Sequence, residues 1–184
     1  DTDIIYLTGV NQSHTGVEVE AKVALHEMVD VDFAFSKGNW FFDGDAKGDY
    51  LEQEYNEDGQ IIGQMTTEYV YALNNLKVGD MPQTAYVGGL TLKPIAGLNI
   101  QGLLKVYDDN YADWSPESRE VTGDEDRAQV WKAPGYSKLD LHLSYKLPEI
   151  AGLDMTLHGH VFNALDNVYV QDATDNSKYN GYGD

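Results

Sequence analysis

The chain has 184 residues, a formal net charge of −19 and no cysteine. Negative charge on this scale argues against nucleic acid as a partner, and the lack of cysteine excludes a disulfide framework and thiol catalysis. No apolar run reaches the ~18 residues that a transmembrane helix needs, whereas the length would suit a single soluble domain with its own core.

Six segments alternate apolar and polar residues with the two-residue period of a β-strand. They form three pairs with a short turn inside each pair, which predicts three antiparallel hairpins. In the first pair, Val17 and Val19 mark the apolar face, and Glu18 and Glu20 mark the polar face. The predicted strands are 17–25 and 29–35, 84–92 and 98–106, and 139–147 and 153–161.

The connections between the hairpins are long. They run from Asp43 to Met81, from Asp108 to Pro134 and from Gln171 to the end of the chain, all on one side of the predicted sheet. Compact soluble domains rarely contain unstructured connections longer than about 12 to 15 residues. Outer-membrane barrels combine short periplasmic turns with long extracellular loops. The pattern therefore predicts an all-β fold, an antiparallel transmembrane β-barrel segment of about six barrel strands.

The first long loop, residues 43–81, contains two turn signals. The sequence 56–59 (Asn-Glu-Asp-Gly) separates residues 51–55 from 60–64, and Asn74-Asn75 separates 68–73 from 76–79. Both signals predict hairpins. We therefore expect a structured extracellular projection with hairpins.

Aromatic residues concentrate where the predicted strands meet the long loops. Tryptophan and tyrosine favour a membrane interface, where an apolar ring meets a polar tip, so this cluster predicts one aromatic girdle. The residues are Trp40, Phe41, Phe42, Tyr107, Tyr111, Trp114, Trp131, Tyr136 and Tyr169. Four of them, Trp40, Tyr111, Trp114 and Trp131, are also candidates for binding a sugar or another planar substrate.

The start of the first long loop resembles a calcium-binding EF-hand loop in spacing. Asp43, Asp45 and Asp49 occupy positions one, three and seven, and Glu54 occupies position twelve. Lys47 stands at a ligand position, and no helical pattern flanks the segment. A calcium site and a simple solvated acidic loop are both open at this stage.

The polar face of the last hairpin offers a second metal hypothesis. If Leu147 pairs with Leu153, His142 lies opposite His158 and Asp140 lies opposite His160. Imidazole and carboxylate ligands could hold a transition metal. Hydrogen-bonded histidines without a metal are the alternative.

Several motifs, in order along nearly the whole chain, resemble TonB-dependent outer-membrane receptors. Residues 16–20 (Gly-Val-Glu-Val-Glu) look like the family's Gly-Val-Glu-x-Glu signature, and residues 9–11 and His14 fit the same strand. Residues 78–84 resemble the proline-containing lead into a later barrel strand, and 107–114 and 131–141 look like the next two strands. Residues 161–169 (Val-Phe-Asn-Ala-Leu-Asp-Asn-Val-Tyr) are similar to the penultimate-strand motif.

This resemblance implies that residues 1–184 are a carboxy-terminal portion of a barrel of about twenty-two strands, without the plug domain and the last strand. It implies an active transporter in the outer membrane of a Gram-negative bacterium, importing a siderophore, vitamin, glycan or peptide. The implied partners are outer-membrane lipid, the plug domain and the TonB energy-transducing complex, and a surface lipoprotein is a further candidate. No enzymatic activity and no cofactor, apart from the calcium hypothesis, are expected.

Other classes of protein remain open from the sequence. A secreted soluble β-sandwich that binds glycans would use Trp40, Trp114 and Trp131 as stacking platforms. A passive porin would share the barrel but not the plug. An enzyme is disfavoured because the chain has no nucleophile elbow, phosphate loop or metalloprotease helix.

Overall fold

The computed structural model of the chain describes residues 6–121, 127–149 and 151–175. These residues form an all-β fold, with a single helix of four residues, α1 (Pro116–Arg119). None of the described helical structure is long and apolar enough to cross a membrane. The strands are, in chain order, β1 (Tyr6–Thr8), β2 (Gln12–His26), β3 (Val29–Phe42), β4 (Ala46–Tyr55), β5 (Ile61–Tyr71), β6 (Thr84–Leu92), β7 (Leu98–Asp108), β8 (Asn110–Tyr111), β9 (Asp113–Trp114), β10 (Lys132–Ala133), β11 (Tyr136–Lys146), β12 (Thr156–Val161) and β13 (Thr174–Asp175).

Six long strands form one antiparallel sheet, called the main sheet below, in the order β12-β11-β7-β6-β3-β2. The three predicted hairpins and their six strands are confirmed. The strands β2 and β3 extend beyond the predicted segments, to 15 and 14 residues. The strand β12 begins at Thr156, three residues later than predicted, because the turn before it is wider and includes Ala151 and Gly152 with positive φ. Within the described residues the sheet is open, with β2 and β12 at its edges.

Most of the apolar side chains of the main sheet share one face, and many of them stay exposed. Cross-strand partners point to the same side of a sheet, and the register aligns Val31, Leu90, Gly102, Leu141 and Val161 in one row. Leu90 is 46% exposed, Leu141 41% and Val161 55%. The strands contact mainly the neighbours to which they are hydrogen-bonded. No second layer of described structure therefore covers this apolar face.

Most of the buried apolar residues lie instead at the end of β3 and in the long loops, in a cluster called the loop core below. Leu7, Tyr69, Val78, Tyr111 and Trp114 pack against it and are partly buried. It adjoins a three-stranded sheet of order β1-β4-β5. The loop core consists of Phe42, Ala46, Tyr71, Leu73, Leu76 and Val130. The interior of the described structure is thus built by the loops at the end of the main sheet where β3 finishes.

The first predicted loop hairpin is confirmed. The strands β4 and β5 pair antiparallel around the turn at Asn56 and Gly59. The Asn56 side-chain oxygen accepts hydrogen bonds from the backbone N–H groups of Asp58 and Gln60. This asparagine-centred bonding is the usual reason that such a sequence forms a tight turn.

The second predicted loop hairpin is wrong. The chain does turn at Asn74-Asn75, with Asn75 at φ 65°. Residues 76–78, however, run along the end of β3: Phe42 N–H donates to Leu76 O, and Val78 N–H donates to Trp40 O. Burial of Leu76 in the loop core fixes this alternative pairing, a tertiary contact that a local turn signal does not contain.

Residues 9–11 also differ from the prediction that they continue the strand of His14. Gly9 has φ 74°, which interrupts the extended backbone between β1 and β2. The strand β1 can therefore leave the main sheet and pair with β4.

Substitution of Leu73, which is fully buried in the loop core, tests whether the loops form a packed unit. Leu73→Ala is expected to lower the free energy of unfolding by about 2 to 5 kcal/mol because it leaves a cavity. Denaturant unfolding followed by tryptophan fluorescence measures this, since Trp114 packs against the loop core. Ile62→Ala, at a 65% exposed position, is the control and should stay within about 0.5 kcal/mol. Equal midpoints for the two variants would contradict a packed loop core.

Candidate functional site

The face of the main sheet opposite the apolar one carries polar and charged side chains across all six strands; it is called the polar face below. One of its rows crosses the whole sheet and includes Asp30, Thr91, Gln101, His142 and His160. A predominantly polar surface on one face, with an apolar surface on the other, makes the polar face the first candidate for a functional site.

Ion pairs organise the charges of the polar face. Lys105 Nζ lies 2.7 Å from Asp140 Oδ2, and the Asp140 side chain is 1% exposed. The other Asp140 oxygen accepts a hydrogen bond from the backbone N–H of Asn163 at 2.9 Å. Asp30 pairs with Lys93 at 2.6 Å. A buried carboxylate needs such partners, since an unpaired buried charge is costly.

The motif at 161–169 folds back against β11 after β12 ends. Asn163, at φ 49°, begins a turn in which its side chain donates to the backbone oxygen of Asn167. Asn167 Nδ2 in turn donates to Ser137 O on β11 at 2.8 Å. The asparagines therefore hold the chain against β11 and place Asn163 over Asp140.

The predicted register of the last hairpin is wrong by two residues, although the predicted face is correct. Leu147 N–H donates to Met155 O, so Leu147 does not pair with Leu153. His142 lies opposite His160, with their Nδ1 atoms 2.8 Å apart. His158 lies opposite Ser144. The wider turn causes the shift, and a two-residue shift keeps every side chain on its face.

The first and second long loops are joined through Asp45. Both carboxylate oxygens accept hydrogen bonds from the Arg127 guanidinium, at 2.7 and 2.9 Å. The backbone N–H groups of Leu73 and Asn74 donate to the same carboxylate. Hydrogen bonding to Arg127 lowers the pKa of Asp45 below its ordinary value, with the two N–H groups acting in the same direction and burial opposing.

The four residues of the calcium hypothesis are not brought together. Asp43 directly follows β3, and Asp45 is engaged by Arg127. Asp49 and Glu54 both lie in β4, where five residues span about 16 Å and odd spacing puts them on opposite faces. Among the described residues there is no group of three or more His, Asp or Glu side chains arranged to hold a metal ion.

The four candidate aromatic residues lie in three different settings. Trp40 is on the polar face beside His14, with ring centroids 5.5 Å apart. Tyr111 and Trp114 pack against the loop core, and the backbone N–H of Trp131 donates to Asp175. They therefore do not form one common stacking surface.

The aromatic girdle predicted from the strand ends has a different membership. Trp40, Tyr107 and Tyr136 belong to the polar face by strand alternation and register. On the apolar face, the aromatic contact near the loop end is between Phe35 and Tyr86, with centroids 5.0 Å apart. The sequence shows that these rings lie near strand ends. It does not show which face of the sheet each ring is on, because that depends on the exact register of the strands.

Two sets of polar contacts, at the end of the main sheet where the long loops begin, were not predicted from the sequence. Gln83, 2% exposed, accepts from Trp40 N–H and donates to Trp40 O, which fastens the lead into β6 to β3. Asp109 accepts hydrogen bonds from Thr84 Oγ1 and Lys132 Nζ, and the Lys132 bond holds the pKa of Asp109 below its ordinary value. Gln83 lies in the 78–84 motif and Asp109 in the 107–114 segment, but neither resemblance names a partner for these side chains, and only the packing provides one.

No protein-family model matches the chain, and comparisons with curated proteins and with solved structures find no significant match.

Replacement of the Arg127 guanidinium tests the link between the first and second long loops. In Arg127→Gln, protection of the Leu73 and Asn74 amides from hydrogen exchange is expected to fall by up to about fivefold, or about 1 kcal/mol, because the pair is partly exposed. Lys47→Gln, which removes the exposed Lys47–Glu68 pair, should leave these amides unchanged.

The same link has a defined pH dependence. Because the folded-state pKa of Asp45 lies below 3.8, its stabilisation is present above that pH and is lost as the pH falls through the lowered value. Protection of the two amides should therefore stay constant between pH 7 and 5 in the wild type. Loss of protection already near pH 6 would contradict the assignment.

Proposed function

We propose that this chain forms part of the barrel wall of a TonB-dependent active transporter in a bacterial outer membrane, which imports a scarce nutrient. The main sheet would be a carboxy-terminal section of the barrel, with its short turns towards the periplasm and the loop core outside the cell. The protein would bind and move its substrate without covalent chemistry.

The observation that carries the proposal is the uncovered apolar face of the main sheet. Val17, Val23, Leu104, Leu141 and Leu157 are each 41% or more exposed. Monomeric soluble proteins rarely leave a continuous apolar patch of this extent in water. In an outer-membrane barrel the same face contacts lipid, and every second residue along each strand points there.

The polar face supports the same orientation. Turning Lys22 or Lys105 towards lipid would cost about 2 to 4 kcal/mol each near the bilayer midplane. The Lys105–Asp140 pair and the Asp30–Lys93 pair would instead face the lumen, where water and a plug domain can solvate them. The loop core supports it as well, because it gives the long loops a rigid structure outside the membrane.

Within the class of outer-membrane barrels, the sequence motifs are the reason for proposing the TonB-dependent family. Residues 16–20 lie in the long edge strand β2, and residues 161–169 include the end of β12 and the asparagine turn. Of residues 161–169, only Val161 lies in β12, and the remaining residues form the asparagine turn and the segment after it. The family assignment therefore rests on the likeness in sequence alone. The substrate class, the plug and the TonB contact rest on this resemblance.

Two neighbouring positions at equal depth test the orientation of the main sheet. Ile100 lies on the apolar face and Gln101 on the polar face of β7. The chain has no cysteine of its own, so spin labels at Ile100→Cys and Gln101→Cys are the only ones within these residues. Any cysteine elsewhere in the native polypeptide is replaced by serine before the protein is labelled in membranes. The Ile100 label should be reached by oxygen but not by a water-soluble nickel chelate, and the Gln101 label should show the reverse preference.

Other outcomes identify the competing classes. A soluble β-sandwich predicts that the Ile100 label is protected from both reagents, since a second sheet would cover it. Equal access of the nickel chelate to both labels would also contradict a lipid-facing surface. Ile100→Ser without a label serves as the check that the position tolerates substitution.

The native polypeptide provides the test of the transporter class. Fractionation and intact mass should give an outer-membrane protein that needs detergent and is much longer than this chain, with a plug domain in the same polypeptide. A porin would have the barrel alone. A water-soluble native protein of only these residues would overturn the proposal.

A further inference from the structure

Three of the five histidines of the chain lie together on the polar face, on the neighbouring strands β11 and β12. The His142 and His160 rings have centroids 5.0 Å apart. His158 stands two residues along β12 on the same face, with its ring parallel to that of His160 at 6.3 Å. His142 and His160 thus form a direct cross-strand pair, and His158 is its neighbour.

The contact between His142 and His160 joins two nitrogens that can both act as metal ligands. Their Nδ1 atoms are 2.8 Å apart, so one ring donates an N–H to the lone pair of the other. Two imidazole nitrogens on one tetrahedral zinc-like ion lie about 3.3 Å apart, given bond lengths of about 2.0 to 2.1 Å. To hold an ion, the donating ring would shift its proton from Nδ1 to Nε2. The two nitrogens would then separate by about 0.5 Å, and the rings would turn so that both lone pairs point at the ion.

The surroundings of the pair allow a cation to approach. The histidines border an open groove of about 260 Å³, which Thr91, Gln101 and Ser144 also line. The two lysines of the groove are already paired, Lys22 with Asp32 and Lys93 with Asp30. Their positive charges are therefore balanced by carboxylates, and imidazole rings and uncharged polar groups surround the approach to the two nitrogens.

We propose that His142 and His160 form a two-histidine site for a divalent transition-metal ion of the copper, nickel or zinc class. Imidazole suits these ions. Two protein ligands leave coordination positions open for water or for the donor atoms of a chelating molecule. Such a site holds its ion exchangeably, unlike a closed structural site. That the ion belongs to the imported substrate rests on the transporter function proposed above; the binding itself does not.

Binding of Cu²⁺ to the purified native protein in detergent tests the site. Electron paramagnetic resonance should detect an ion with two coordinated imidazole nitrogens. In His142→Ala and in His160→Ala the affinity for Cu²⁺ should fall by at least about tenfold, since removing even a residue that only hydrogen-bonds to a metal ligand produces such a loss. Circular dichroism and detergent-resistant mobility confirm that each variant is folded.

The chain supplies its own controls among the remaining histidines. His14 bonds to Gln12 and His26 accepts from Met28 N–H, so His14→Ala and His26→Ala should bind Cu²⁺ like the wild type. Unchanged affinity in folded His142→Ala or His160→Ala would overturn the site. A spectrum with a single imidazole nitrogen would overturn it as well.

The spin-label experiment separates this inference from the transporter proposal. If Ile100 faces lipid while the histidine variants bind Cu²⁺ normally, the metal site fails and the transporter remains. If the two histidine variants lose Cu²⁺ while the Ile100 label is not lipid-exposed, the metal site remains and the transporter fails.

Discussion

Two-residue alternation across six hydrogen-bonded strands is the constraint on which the rest of this structure depends. Because cross-strand partners share a face, an apolar residue in one strand lies beside apolar residues of its neighbours, as Leu90 does beside Val31. A one-residue slip in any strand would mix the two faces. The alternation therefore excludes registers that are shifted by one residue. It also produces the uncovered apolar face and the polar row that contains His142.

The separation of the faces also explains where the core lies. A soluble sheet buries its apolar face against a second layer, but the described chain builds its interior from loop residues such as Leu73 and Val130. The loops are fastened by charges, with Arg127 on Asp45 and Lys132 on Asp109. The main sheet and the loop core thus depend on different interactions: backbone hydrogen bonds in the sheet, side-chain packing and ion pairs in the loops.

The sequence predicted the elements whose signal is local. The strand β6 has the predicted bounds, and the turn at Asn56 forms because its side chain bonds to nearby backbone groups. Predictions of which segments pair with each other were wrong in two places. The Asn74-Asn75 turn exists, but residues 76–78 pair with β3 because Leu76 is buried in the loop core. The pairing of His142 with His160 likewise depended on the width of a turn that the sequence does not fix.

The sequence by itself determined the all-β class, the six strands of the main sheet and the division between polar and apolar faces, because a two-residue period is written directly in the order of side chains. Only the tertiary structure decided which residues meet: Asp45 with Arg127, Gln83 with Trp40, and His142 with His160. These contacts join residues distant in the chain, and their distances depend on registers, turn widths and loop packing that no local pattern encodes.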